Sequence, residues 1–483
     1  MPIPTSASRF SFHPRPGACL CHSPAALRIN ERLCLDMLPA DGIAASSASP
    51  AAGGVSPRPS APGEAIHFTN VSVFDGRSAA LRTDVDVLVR GNAIDALVPK
   101  GTRVENARAI DGRGATLMPG LIDAHWHAML ANISELAALT ADIGYIYLKA
   151  AHEAEQTLLR GFTTVRDTGG PSFALKRAID EGLVAGPRIF PSGAMISQSG
   201  GHGDFRMRAE VPRSSTSGLS IAEKAGVAMI ADGADEVLRR VREQLMLGAS
   251  QIKIVTGGGV TSLYDPIDGN QFTEAEIRAA VAAAADWGTY VCTHVYTTQG
   301  IQRAIDCGVK CIEHGQLADE DTVRRIADTG TWWSLQPFLK DEDANVHPDP
   351  RQQAEQEFIA QGTVRAYEWA KTHKVKVAWG TDILFSPGKT VTQGKQLAKL
   401  ARWFTNAEVL GMATSANAAL LAMAGNRSPY KQPIGVIEPG AFADILLIAG
   451  NPLEDIALIA DPARSMKLIM KDGKIFKDTL GEA

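Results

Sequence analysis

Five short runs of this sequence put metal-binding or acid/base side chains where apolar segments end. His125-Trp126-His127 follows LMPGLIDA, and residues two apart on an extended strand face one side, so both imidazoles can bind one cation. Lys253 stands between isoleucines in QIKIVTGGG, and a buried ammonium must be neutralised, paired or chemically modified. A buried free amine can react with carbon dioxide, and the carbamate so formed is a two-oxygen ligand. His294 closes YVCTHV, His314 closes KCIEH and Asp382 closes VAWGTD. Four imidazoles, one lysine and one carboxylate converging on one point form a two-metal constellation. In it the Lys253 carbamate bridges the ions, His125, His127 and Asp382 hold the more buried ion, and His294 with His314 hold the more exposed one. Paired ions about 3.5–4 Å apart acidify a shared water and polarise a carbonyl, which is hydrolysis chemistry. Asp382 would take the proton of the bridging hydroxide as it attacks and hand it to the leaving amine. Zinc suits these ligands, as do cobalt and manganese.

Something must bring these six residues together. FTTVRD, RIFPSG, IKIVTGG, YVCTHV, CIEHG, WWSLQ and VKVAWGTD, with ATLMPGLIDAHWH before them, are strand-like. Between them lie helix-length amphipathic stretches such as EVLRRVREQLMLG, TEAEIRAAVAAAADWG and FIAQGTVRAYEWAKTH. About eight β-then-α units predict an α/β fold, a closed (β/α)8 TIM-like barrel over residues 119–425, with its chemistry at the carboxyl ends of the strands. A doubly wound open sheet is disfavoured, because no Gly-x-Gly-x-x-Gly opens a helix after the first strand. Alternating strands in IHFTNVSVFD and DVDVLVRG, joined at Asp75-Gly76-Arg77, return at the far end as GAFADILLIA and MKLIMKDGKIF, hinged at Asp472-Gly473. Residues 64–118 and 426–483 are therefore expected to form one small β-sandwich from both flanks.

Residues 1–63 differ from the rest. They carry ten of the 26 prolines and runs such as AASSASPAAGG, a composition expected to stay disordered, and Met37 is a candidate native start. A net charge of −5 without a basic run excludes an electrostatic footprint for nucleic acid. No run of about 18 apolar residues predicts a membrane span. Six cysteines, none in Cys-x-x-Cys, fit a reducing, cytoplasmic setting, with an atypical leader in residues 37–63 left open.

In PGLIDAHWH, the Lys253 strand, Thr293-His294, Glu313-His314-Gly315 and Gly380-Thr381-Asp382, taken in that order, the sequence resembles the amidohydrolase superfamily in its binuclear, carboxylated-lysine subtype. The resemblance runs from Ala65 to Phe476. Ser199-Gly200-Gly201-His202-Gly203-Asp204, Thr256-Gly257-Gly258-Gly259 and His294-Val295-Tyr296-Thr297 resemble the branch holding ochratoxinases and zinc Xaa-Pro and Xaa-Arg dipeptidases. That resemblance implies substrate recognition by His202 and Tyr296, His202 also acting at the catalytic centre. It implies two divalent ions with N6-carboxylated Lys253, a small-molecule or dipeptide-like substrate with a free carboxylate, and a homo-oligomer, octameric in some relatives. The implied reaction is cleavage of an amide next to a free C-terminal carboxylate, as in the conversion of ochratoxin A to ochratoxin alpha and phenylalanine.

The alternatives are an Xaa-Pro or Xaa-Arg dipeptidase, an imidazolonepropionase-like cyclic-amide hydrolase or mononuclear deaminase, and a non-catalytic scaffold. Lys253 together with the lack of a glutamate in VCTHVYTTQG disfavours the deaminase type, and six intact ligand positions disfavour a scaffold. His347, in the loop before DPRQQ, is expected near the barrel mouth. Trp332, Trp333, Phe338 and Phe385 are candidates for an aromatic wall. His152 and His373 read as ordinary helix residues.

Overall fold

The computed structural model describes residues 65–212, 218–261, 264–344 and 349–481; the N-terminal segment and His347 lie outside the described residues. Six strands come first: β1 (Ala65–Thr69), β2 (Ser72–Val73), β3 (Val85–Arg90), β4 (Ala93–Pro99), β5 (Ala107–Asp111) and β6 (Thr116–Pro119). IHFTNVSVFD, expected as one strand, is two, because Asn70 turns left-handed at φ 53° and its side chain bonds Asp111. Ten strands follow: β7 (Leu121–Trp126), β8 (Phe162–Asp167), β9 (Arg188–Pro191), β10 (Met195–Ser197), β11 (Ala228–Ile230), β12 (Ile252–Val255), β13 (Val291–Thr297), β14 (Cys311–Leu317), β15 (Trp332–Leu335) and β16 (Val377–Trp379). The last three are β17 (Ile445–Ile448), β18 (Met466–Lys471) and β19 (Lys474–Asp478).

Where a small sandwich was expected, the structure has two sheets, ordered β4-β3-β1-β5 and β19-β18-β17-β6-β2. The second takes strands from both flanks, pairing Leu447 with Leu117 across β17 and β6. Phe68 and Val87 of the first sheet share one apolar cluster with Leu117, Leu447 and Met470 of the second. The β18–β19 hairpin turns at Asp472-Gly473, both with positive φ, as a two-residue turn between twisted strands requires.

The middle of the chain is parallel throughout. Strands β7-β8-β9 form one sheet and β11-β10-β12-β13-β14-β15-β16 another. The Ser250 N–H donates to Pro191 O at 2.7 Å, tying β9 to the entry of β12. At the other seam the Asp382 N–H donates to His125 O at 2.8 Å. Two buried side chains clasp this second seam. Asn417 donates from Nδ2 to Ile122 O and Trp379 O, each at 2.8 Å, and accepts from Trp379 N. Asp123 accepts from the Thr381 backbone and hydroxyl. Eight parallel strands, β7 to β9 and β12 to β16, thus form a ring of TIM-like barrel type, and β10 with β11 is an excursion that meets β12 at one residue pair. The expected helices lie between strands: Ala234–Met246, Glu274–Asp286, which opens with a Thr273/Glu276 capping box, and Pro350–Thr372.

Replacing Asn417 by Ala leaves two carbonyls and one N–H of the seam without partners, so urea unfolding should show a loss of about 2–4 kcal/mol. A shift below a few tenths would mean the seam does not need the clasp. A second expectation concerns pH. Burial pushes Lys471 down to about 8, with Arg188 adding to the effect and Asp444 and Asp472 opposing it. The unfolded chain then holds more protons between pH 8 and 10.5, so this group's penalty is full below pH 8 and fades as pH rises toward 10.5. Lys471→Met should raise the thermal midpoint at pH 7 and give a smaller gain at pH 10; an equal gain at both would remove the titration explanation.

Candidate metal centre and active site

The carboxyl ends of the barrel strands enclose a cavity of about 80 Å³. His125, His127, Lys253, His294, His314 and Asp382 all line it, as do His202 and Tyr296. Nε2 of His125 and Nε2 of His127 each lie 3.1 Å from Asp382 Oδ1, so the i, i+2 pair does face one point. His314 Nδ1 is 3.9 Å from Asp382 Oδ2. One ligand atom each from His125, His314 and Asp382 lie within 4.8 Å of one another.

Each of the four imidazoles has one nitrogen held by a group behind it, while the other nitrogen of His125 and of His127 faces the candidate ligand Asp382. His125 Nδ1 bonds Glu313 Oε2 at 2.7 Å, His127 Nδ1 bonds Gly169 O at 3.1 Å, His294 Nε2 bonds Gly258 O at 3.1 Å and His314 Nδ1 bonds Gln336 Oε1 at 2.8 Å. An imidazole that donates from one nitrogen carries its lone pair on the other, which is the arrangement a metal ligand needs. The donor set therefore fits divalent ions.

Electrostatics agree with that fit. Burial alone would raise Asp382, but attraction to His125 and the close approach of the His125 and His127 rings outweigh it and hold the carboxyl well below its usual range. Burial drives His294 well below the ordinary imidazole value, and His202, His314 and Lys253 push it the same way. Both His294 and His314 stay neutral, as ligands must. Lys253 is 2% exposed, and among the described residues no carboxylate lies within ion-pair distance of it. Burial raises Tyr296 well above the usual phenol range, which keeps it a hydrogen-bond donor.

The backbone is bent to serve these groups. His314 (φ 70°) and Asp382 (φ 54°) both adopt the left-handed conformation, which costs about 1–3 kcal/mol per non-glycine residue. Trp333 Nε1 steadies the first by donating to His314 O at 2.7 Å. Two glycines make room: a Cβ at Gly380 would fall on the His125 backbone, and one at Gly259 on the His202 ring. His202 stacks flat on His294 at 4.0 Å between ring centres, with its Nδ1 3.3 Å from Asp265 Oδ2.

Of the four aromatic candidates, only Phe338 is on the cavity wall. Trp333 is wholly buried in the core, Trp332 packs with a different apolar cluster, and Phe385 stands edge-on to Phe205. His152 is exposed on its helix, and His373 pairs with Glu320 at 3.0 Å. Arg166, Glu313 and Gln336 had no assigned role from sequence, yet they back the ligands. Arg166, a charged residue inside FTTVRD, carried the same signal that singled out Lys253.

Stripping divalent ions with a chelator should lower the thermal midpoint, and restoring zinc, cobalt or manganese should raise it. Binding at a hundred times Kd contributes about 2.7 kcal/mol. Asp382→Ala should abolish most of that response, and a wild-type midpoint indifferent to metal would remove the metal assignment.

Residues 116–476 match the amidohydrolase family. The chain is 33% identical over 380 residues to the ochratoxinase of Aspergillus niger, covering 76% of each. Among solved structures it is similar to a prolidase complexed with N-methylphosphonate-L-proline, with TM-score 0.78 and 34% identity over 86% of this chain and all of that one. A Xaa-Pro dipeptidase with bound methionine in its active site superposes with TM-score 0.74 and 28% identity, again over 86% of this chain and 100% of the other. Donor set, strand-end placement and these likenesses agree: the chain is a hydrolase that belongs to the amidohydrolase family.

Proposed function

We propose that the enzyme cleaves the amide joining an acyl group to an amino acid that has a free carboxylate and an apolar side chain, using two divalent ions and N6-carboxylated Lys253. The observation that carries this reading is the composition of the cavity wall. Away from the ligands it is built mainly from Met195, Val260, Phe338, Ile359 and Leu384, with Tyr296, His202, Thr261 and Gln356 as polar groups beside them. Among the described residues no acid other than the ligand Asp382 lines it, so a guanidinium side chain would lack a partner and an Xaa-Arg preference is disfavoured. Relatives named ochratoxinase and Xaa-Pro dipeptidase support the same class of substrate.

His125, His127 and Asp382 would hold one ion, and His294 with His314 the other. Lys253 lines the same cavity as a buried amine with no acid within ion-pair distance among the described residues, the condition under which carbamate formation would relieve an unpaired site. Bound there, the ions would acidify a water and polarise the scissile carbonyl. Asp382 Oδ1 is held by two imidazoles, which leaves Oδ2 to accept the proton of the attacking water and deliver it to the leaving nitrogen. The Tyr296 hydroxyl and the His202 imidazole would orient the substrate carboxylate. The free thiols Cys292, Cys307 and Cys311 are all buried, which supports the proposal of a cytoplasmic setting.

Ochratoxin A, N-acyl-phenylalanines, Xaa-Pro and Xaa-Arg dipeptides, each beside its carboxyl-amidated form, test the proposal. Free acids with apolar leaving residues should be cleaved, amidated forms should lag, and Tyr296→Phe should cost about 10- to 100-fold in kcat/KM on the free acids. Equal rates on amidated substrates would refute carboxylate recognition, and preference for Xaa-Arg would refute the apolar wall. Lys253→Ala should lose activity and bind fewer ions.

A further inference from the structure

Arg166 and Glu313 form an ion pair in the barrel interior, both without solvent exposure. Arg166 Nη2 donates to both Glu313 oxygens, at 2.7 and 2.8 Å. Its Nε donates to Ala124 O on β7, and its Nη1 reaches Tyr290 Oη at 3.3 Å. Glu313 Oε2 in turn takes the His125 Nδ1 hydrogen at 2.7 Å. The other imidazoles are backed differently. His127 and His294 lean on the carbonyls of Gly169 and Gly258, and His314 leans on the neutral amide of Gln336, which is anchored by Nε2 donating to Ser334 O at 3.0 Å. Of the four rings, His125 alone has an ionised carboxylate behind it.

We infer that Arg166 and Glu313 are positioning residues for metal binding, acting through His125. The carboxylate fixes the Nδ1–H tautomer and aims Nε2 at the cavity, and a full negative charge behind the ring strengthens it as a donor. Arg166 grips both carboxylate oxygens and so fixes the orientation of Glu313 itself. Gln336 does the corresponding work for His314 without charge. The His125–His127–Asp382 set is accordingly the tight site, and the His294–His314 set the exchangeable one. The inference rests on the proposed binding of two ions and concerns no substrate.

Zinc or cobalt titrated into the metal-free full chain against a chelator tests it, with the urea midpoint of the metal-free chain as a separate readout of structure. The double variant Arg166→Met/Glu313→Gln removes both charges while keeping volume and an acceptor for Nδ1–H. It is expected to keep a metal-free midpoint near wild type and to bind the tight ion about 10- to 100-fold more weakly, with the second ion changed less than about threefold. Glu313→Asp keeps the ion pair but withdraws the carboxylate from His125, so it should show the same selective loss even if the double variant does not fold. Wild-type affinity for both ions in a folded variant, or equal weakening of both, would overturn the inference. A wild-type chain that takes up no ion would instead overturn the proposed function together with it.

Discussion

One carboxylate oxygen, Asp382 Oδ1, receives two imidazole nitrogens at the same 3.1 Å distance, and much of the barrel is arranged around that convergence. Charged and polar groups cannot be buried at the end of an apolar barrel unless each has a partner. The partners therefore propagate outward: Asp382 to His125, His125 to Glu313, Glu313 to Arg166, and Arg166 to the β7 backbone. The same residue ties the seam, since its backbone N–H donates to His125 O just beyond β16. Gly380 lets the two strands approach that closely, and Asn417 and Asp123 hold them there. The joint that completes the ring and the joint that assembles the site are one piece of structure.

The outer wall is made by different means. The helix Pro350–Thr372 opens on an Asp349 cap with proline in its first turn, as its sequence demands. It sets Ile359 and Gln356 on the cavity, and Gln352 Nε2 donates to Val260 O at 2.8 Å, tying the helix to the glycine-rich run after β12. Phe338 stands on the loop after β15, which Lys399 secures through Asp341 and Asp343. The candidate ligands thus sit at the ends of barrel strands, whereas the apolar wall draws on β10, one helix and the loops after β12, β15 and β16. Most of the apolar wall therefore lies on elements other than those that carry the candidate ligands, although Tyr296 shares β13 with His294 and Leu384 follows Asp382 closely.

The sequence shows which residues line the cavity from strand ends better than it shows walls or supports. His125, His127, Lys253, His294, His314 and Asp382 were legible because strand periodicity and a closed parallel ring together dictate where strand-end residues go. The eight barrel strands were legible for the same reason. The break of the first strand at Asn70 was not, because left-handed conformations depend on a distant partner, here Asp111. Nor were the aromatic candidates separable, because Trp333 and Phe338 lie only five residues apart and which of them faces the cavity is set by the turn between them. Supports are harder still. Arg166 and Glu313 are 147 residues apart, and neither charge is explained until the ring brings β8 and β14 to the same interior.

Glu313 and His314 show why local rules stop short. Neighbouring residues on a strand point to opposite faces, so a side chain that backs the site and the next one that lines it should not both reach His125. Yet Glu313 bonds that ring at 2.7 Å, and the His314 ring centre stands 4.9 Å from it. The left-handed φ of His314 interrupts the alternation and turns its imidazole back into the cavity. Trp333 holds the displaced carbonyl, and Gln336 holds the imidazole. With ordinary extended φ at this position, one of the two residues would leave the site. The strain at His314 is therefore what allows adjacent positions of one strand to serve the same site, with Glu313 behind the His125 ring and the His314 imidazole on the cavity.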